Sequence, residues 1–263
     1  MAPVSILRRR NGAFVSCIVP KVDSNCQIIV IDWGNIDFWL VLTYAVFMKE
    51  INIKKIAILD LGINPYEPTL IMQMGLCQKR QTDEIDNTVL IVEHPAVITL
   101  GARKSENKLL TDETALQAEG IDVVHIRRGG GTTAHNPGQL VFYPILKLKS
   151  VGLDVGSYVR SLEQIGIDLL AGLGVESARR KRFPGLWIGE KKIASIGVQL
   201  KKWVSMHGMA ININNDLSIF DHIIPCGLNG VEMTSVEKET GKKADMAAVK
   251  KELTNLCMKA FNG

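Results

Sequence analysis

From Leu140 to Leu146 the chain reads Leu-Val-Phe-Tyr-Pro-Ile-Leu, without a charged side chain at any position. Successive side chains of a strand point to opposite faces. A strand that is apolar at Leu140, Phe142 and Pro144 as well as at Val141, Tyr143 and Ile145 must therefore be covered on both sides. That places it at the centre of a sheet with layers above and below, and points to a mixed α/β (α+β) fold.

The flanking patterns supply those layers. Residues 56–61 form a short β-like run closed by Gly62, and residues 69–80 place Leu70, Met74 and Cys77 at helical spacing. Strands are predicted over residues 88–93 and 97–100, separated by His94-Pro95, and over residues 122–127. Asp154 is positioned to cap a helix in which Tyr158, Leu162, Ile165 and Leu169 share a face, ending near Gly172 and Gly174. Residues 186–188 and 191–200 read as a hairpin around Gly189-Glu190, followed by a strand over 204–213. A last helix over 244–261 puts Val249, Leu253, Leu256, Cys257 and Ala260 on one face. The simplest organisation is one mixed-sheet domain over residues 55–263, preceded by an extension over residues 1–54.

That extension differs from the rest. Residues 1–22 hold no Asp or Glu but carry Arg8, Arg9, Arg10 and Lys21, a basic start that loosely resembles an organellar presequence. Residues 27–48 are apolar and aromatic, but Asp32, Asn35 and Asp37 interrupt them, which argues against a membrane span and for a segment outside the main fold. The five cysteines are odd in number and scattered, without a C-x-x-C pair, so a reducing compartment is expected and neither a disulfide framework nor a metal site. A net charge of +4 is too modest to indicate nucleic-acid binding and suits docking to acidic proteins.

Chemistry concentrates in residues 127–139, Arg-Arg-Gly-Gly-Gly-Thr-Thr-Ala-His-Asn-Pro-Gly-Gln. Three consecutive glycines allow positive φ and close backbone approach, at an entropic cost that a plain turn rarely carries. No G-x-x-x-x-G-K-[ST] is present, and a strand rather than a helix follows the glycines, so a phosphate loop fits poorly. Cys226 stands apart from the other cysteines because Pro225-Cys226-Gly227 is irregular and turn-rich, whereas Cys77 and Cys257 fall on apolar helix faces. A thiol needs a partner to be a nucleophile at neutral pH, and Lys192, just past the Gly189-Glu190 turn, is the candidate. Taken alone, Lys192 reads equally as a solvated hairpin lysine.

Together these segments resemble the octanoyltransferases of lipoate biosynthesis, relatives of the lipoate and biotin protein ligases. Arg128, Gly129, Gly130, Thr133, His135, Pro137, Gly138 and Gln139 meet the pattern R-G-G-x-x-T-x-H-x-P-G-Q. Residues 192–197 meet K-I-A-x-x-G, residues 207–212 H-G-x-A-x-N, and residues 225–227 P-C-G; Glu93-His94-Pro95 and Thr99-Leu100-Gly101 resemble the early strand and loop. The resemblance implies the ligase-like fold. It also implies transfer of an octanoyl or lipoyl group from acyl carrier protein to a lysine of lipoyl domains, in the E2 subunits of 2-oxoacid dehydrogenases and the glycine cleavage H protein. Cys226 would carry the acyl group as a thioester, and Lys192 would activate the thiol and move protons. Arg128, Gly129, Gly130, Gly131, Thr132, Thr133, Ala134 and His135 would line the acyl pocket with Ser195, Ile196, Gly197, Gly208, Met209 and Ala210. Their glycines would leave room for the chain.

The same resemblance implies no cofactor beyond the phosphopantetheine that delivers the acyl group, no metal, and no membrane or nucleic-acid partner. The compartment it implies is the cytoplasm, with mitochondria as the alternative. The basic cluster Arg179, Arg180, Lys181 and Arg182, with Lys201 and Lys202, reads equally as a surface that steers acidic partners and as a solvated basic face. Two other functions compete: an ATP-dependent lipoate ligase, which needs no cysteine nucleophile, and a non-catalytic module that binds acyl chains or carriers.

Overall fold

The computed structural model describes residues 5–10, 13–18, 56–227 and 230–261, with the backbone alone for residues 5–10, 13–18 and Cys226. The apolar 27–48 segment thus lies outside the described residues. Strands β1 (Ser5–Arg10) and β2 (Ala13–Ile18) pair as an antiparallel hairpin. The remainder is the expected mixed α/β domain. Its main sheet joins β3 (Ala57–Ile63), β4 (Thr88–Glu93), β8 (Gln139–Ile145), β12 (Val204–Asn212), β11 (Lys191–Lys201), β10 (Phe183–Ile188) and β9 (Ala178–Arg180), in that order. Only β3 and β4 run parallel among the neighbours in this sheet. β8 lies between β4 and β12 with every residue buried, as its two apolar faces require.

One face of the sheet is covered by α3 (Val155–Gly172) and α5 (Met246–Phe261), which with Phe142, Met209 and Ile211 form the larger core. α3 starts where Asp154 caps it: its carboxylate accepts from the Ser157 N–H (2.6 Å) while the Ser157 hydroxyl bonds the Asp154 N–H (2.9 Å). In α5 the buried stripe is Val249, Leu253, Cys257 and Phe261, with Ala260 left exposed. The larger ring of Phe261 takes the inward position and packs against Tyr158.

The other face is covered by α1 (Tyr66–Gln81), which begins a turn earlier than predicted because Pro68 sits in the first turn, where no intrahelical N–H is needed. α1 is also rotated. Thr69, Gln73, Leu76 and Cys77 face inward and Met74 is exposed, so the polar Gln73 occupies a place that periodicity assigned to an apolar residue. A three-stranded sheet, with β5 (Val97–Leu100) between β6 (Asp122–His125) and β7 (Thr132–His135), carries the glycine loop on top. The short helices α2 (Glu113–Ala118) and α4 (Val236–Thr240) complete the domain. Among the described residues no helix is long and apolar enough to cross a membrane.

Candidate active site

The glycine stretch is a backbone seam. The Ala102 N–H donates to the Arg128 carbonyl (2.9 Å), the Arg103 N–H to Gly130 (3.2 Å) and the Gly101 N–H to Gly131 (3.2 Å), while the Gly129 N–H donates to Val198 on β11 (2.9 Å). A Cβ at Gly131 would lie 2.3 Å from the Glu106 carbonyl oxygen, at Gly197 2.7 Å from Arg128 Cδ, and at Gly208 2.2 Å from the Phe142 carbonyl oxygen. These glycines therefore admit close-packed neighbours within the protein, while Gly197 and Gly208 also border the pocket behind the seam. Gly130 is the exception, with φ +87° and only the Arg128 guanidinium within 4 Å of a built Cβ.

Behind the seam, the residues after the glycines form β7, paired to β5, and strand alternation divides them. Thr133 and His135 face a narrow pocket of about 30 Å³, which Arg128, Gly130, Ser195, Ile196, Gly197, Gly208, Met209 and Ala210 also line. Gly131, Thr132 and Ala134 do not line it. Gly131 abuts Glu106, the Thr132 hydroxyl accepts from the Lys108 N–H (2.9 Å), and Ala134 packs in the apolar cluster beneath the small sheet. Gly129 borders a second, open cleft of about 500 Å³.

Ring side chains that sequence patterning left unassigned line or back the pocket. Tyr66 stacks on His135 (5.8 Å between centroids), His94 packs against both, and Tyr143 meets His207 edge-on (6.4 Å). His94 Nδ1–H donates to the Asn64 carbonyl (2.7 Å), so its Nε2 accepts from the Tyr143 hydroxyl (2.8 Å). His135 Nδ1 bonds Gln139 Oε1 (2.7 Å), and the Gln139 amide continues to Asn212 Oδ1 (2.8 Å). Arg128 is a staple as well as a charge, its guanidinium donating to the Thr99 carbonyl (2.9 Å) and hydroxyl (2.8 Å).

Burial sets the titration of these rings. It holds His94 and His207 down at about 4 and His135 at about 3, where the neighbouring His94 adds to the effect. Burial also pushes the Tyr66 phenol up to about 12 and that of Tyr143 well above its ordinary range. The folded protein thus binds fewer protons than the unfolded chain between about pH 3 and 6.5. Stability from the three imidazoles is fully present above 6.5 and is lost as pH falls through the range between that and about 4. Denaturant midpoints measured from pH 7 down to 4.5 are expected to drop steadily, and His135→Gln to flatten that slope. An equal slope in the variant would show that acid sensitivity originates elsewhere.

Lys192, on β11, is 2% exposed yet borders the cleft with Gly129, Gly130, Ile196 and Gly197. The notion of a solvated hairpin lysine is therefore set aside. Its ammonium lies 5.4 Å from the centroid of the Trp187 ring. Gly185, at φ +125°, makes room for it: a Cβ there would lie 3.0 Å from Lys192 Cε and 2.3 Å from the Ala194 carbonyl oxygen. The Lys192 N–H donates to the Glu232 carbonyl (2.8 Å), and its carbonyl accepts from the Thr234 N–H (2.9 Å). Residues shortly after Pro225-Cys226-Gly227 are thereby fastened to the Lys192 strand. That turn is a short 3-10 helix packed on β7, with Gly227 at φ +68° against Glu106.

The basic cluster divides. Arg179 is engaged by Glu163 (3.1 Å) and Gln164 (2.8 Å), and Arg180 pairs with Glu190 (2.8 Å) while lying over Trp187. Arg103, Arg180 and Arg182 border the cleft. Among the described residues no group of His, Cys, Asp and Glu is placed to hold a metal ion.

Residues 65–257 match the family described as lipoyl protein ligase A/B catalytic domain. An octanoyltransferase of Rubrobacter xylanophilus is 41% identical over 196 residues, covering 74% of this chain and 88% of the relative. One of Desulfovibrio desulfuricans is 42% identical over 192 residues, covering 73% and 81%. Among solved structures, lipoate-protein ligase A bound with ATP superposes with a TM-score of 0.60 at 16% identity, over 78% of this chain and 84% of that one. A bipartite lipoate protein ligase from Thermoplasma acidophilum gives 0.60 at 16%, over 78% and 83%. These structural likenesses establish the ligase-like fold, and with the matched segment they define a lipoyl protein ligase A/B catalytic domain. Within that class, the chain belongs to the octanoyltransferase family.

Proposed function

We propose that this protein moves an octanoyl group from the phosphopantetheine thioester of acyl carrier protein to a lysine of lipoyl domains, by way of an acyl thioester on Cys226. The Cys226 thiolate attacks the acyl carbon, the carrier thiolate leaves, and a proton from the Lys192 ammonium meets it. The neutral acceptor amine then attacks the enzyme thioester. Its proton passes to Lys192, the amide forms, and the Cys226 thiolate is restored. A thioester exchanged for an amide runs downhill, so this sequence consumes no ATP.

One observation carries most of the weight: Lys192 sits buried at the border of the cleft, with its backbone tied to the segment just downstream of Pro225-Cys226-Gly227. Acidic carrier and acceptor domains suit Arg103, Arg180 and Arg182 around that cleft. The cytoplasm is the expected compartment. Mixing the purified protein with octanoyl carrier protein and an apo lipoyl domain, without ATP, should give steady multiple-turnover octanoylation by intact mass. Acylation that stops at one equivalent would indicate a binding module. Transfer only from free octanoate with ATP would indicate a ligase.

A further inference from the structure

The pocket has a mouth and a floor. Gly130, Ile196 and Gly197 border both the pocket and the open cleft, whereas Tyr66, His135, Tyr143 and His207 border the pocket alone. Three of these floor rings are pinned by neighbours: Tyr143 by its hydroxyl on His94, His135 by Gln139, and Tyr66 by its stacking on His135.

His207 is held in another way. Its backbone is left-handed, at φ +57°, and its N–H donates to Gln73 Oε1 (2.8 Å) from α1. Both side chains are buried, His207 at 2% exposure and Gln73 at 0%. His207 Nδ1 and Gln73 Nε2 have no hydrogen-bond partner among the described residues. On the sheet, His207 stands opposite Val198, six positions beyond Lys192 along β11, whereas Ala210 stands opposite Ser195. Along this ladder His207 is therefore the pocket residue of β12 farthest from Lys192.

We infer that His207, anchored by Gln73, ends the acyl pocket and sets the longest chain it accepts, a role that rests on the acyl-transfer function proposed above. A chain that stops short of the ring keeps its hydrocarbon against Val141, Ile196, Met209 and Ala210. A longer one runs into the His207 ring, whose left-handed and hydrogen-bonded backbone leaves it no room to withdraw. At about 30 Å³ the pocket must widen to take any acyl chain. The hydrogen-bonded backbone of His207 is fixed, so it is the stop.

The test compares carrier-protein thioesters from hexanoyl to myristoyl, with kcat/KM for transfer to an apo lipoyl domain as the readout. In the unmodified protein kcat/KM should fall roughly tenfold or more once the chain exceeds its optimum. His207→Asn, which tolerates left-handed backbone, should move that optimum to longer chains by about two carbons. Gln73→Met, which conserves volume on α1 and removes the acceptor of the His207 N–H, should broaden the profile towards longer chains, and it decides the matter if His207→Asn does not fold. An unchanged relative profile in the folded variants, with all rates lowered together, would overturn the role of His207. Absence of transfer of any chain by the unmodified protein would instead refute the acyl-transfer function itself.

Discussion

Replacing Cys226 with alanine lowers acyl transfer by on the order of 10³-fold or more, because the covalent route is lost and direct attack by the acceptor amine is left. Intact mass after exposure to octanoyl carrier protein should show one octanoyl adduct on the unmodified protein and none on the variant. Folding should be little affected, since the Pro225–Gly227 turn is held by backbone bonds: the Gly227 N–H donates to the Ile224 carbonyl (3.1 Å), and the Ile224 N–H to Lys108 (3.1 Å). Transfer that persists in Cys226→Ala would remove the thioester from the mechanism.

Lys192→Ala is expected to cost on the order of 10²–10⁴-fold in transfer, the usual worth of a positioned proton-transfer group. Removing the ammonium withdraws the charge that favours a thiolate, so the pH at which Cys226 reacts with iodoacetamide should rise. Lys192→Arg separates the two contributions. A guanidinium keeps the charge but does not give up its proton, so it should preserve part of the thiol reactivity while leaving transfer slow. An iodoacetamide profile unmoved by Lys192→Ala would end the activating role. Thermal midpoints belong beside both measurements, because Gly185 and Trp187 pack on this side chain and the alanine leaves a void.

Much of this fold was legible in the chain because it is written in local terms. The two-faced apolar run of β8, the Asp154 cap and the α3 stripe each follow from residues a few positions apart, and each stands where expected. What escaped depends on distant partners. β7 is built from polar Thr132, Thr133 and His135 and becomes a strand only by pairing with β5. Gln73 interrupts the apolar face of α1 because a backbone N–H more than a hundred residues away needs its oxygen. The glycines announced close approach, and at Gly131 and Gly208 the approaching group is the protein's own main chain. His94, His207, Tyr66 and Tyr143 gather from four separate elements or loops, so no spacing rule joined them, although His94 and His207 both lay inside motifs that were noticed.

The depressed imidazoles have a consequence for proton traffic. His94, His135 and His207 stay neutral at neutral pH, poor acceptors beside an amine such as Lys192. The interior of the pocket can hold and shape a chain while remaining a spectator to acid and base chemistry. In the proposed reaction the protons are then left to the rim, where Lys192 stands.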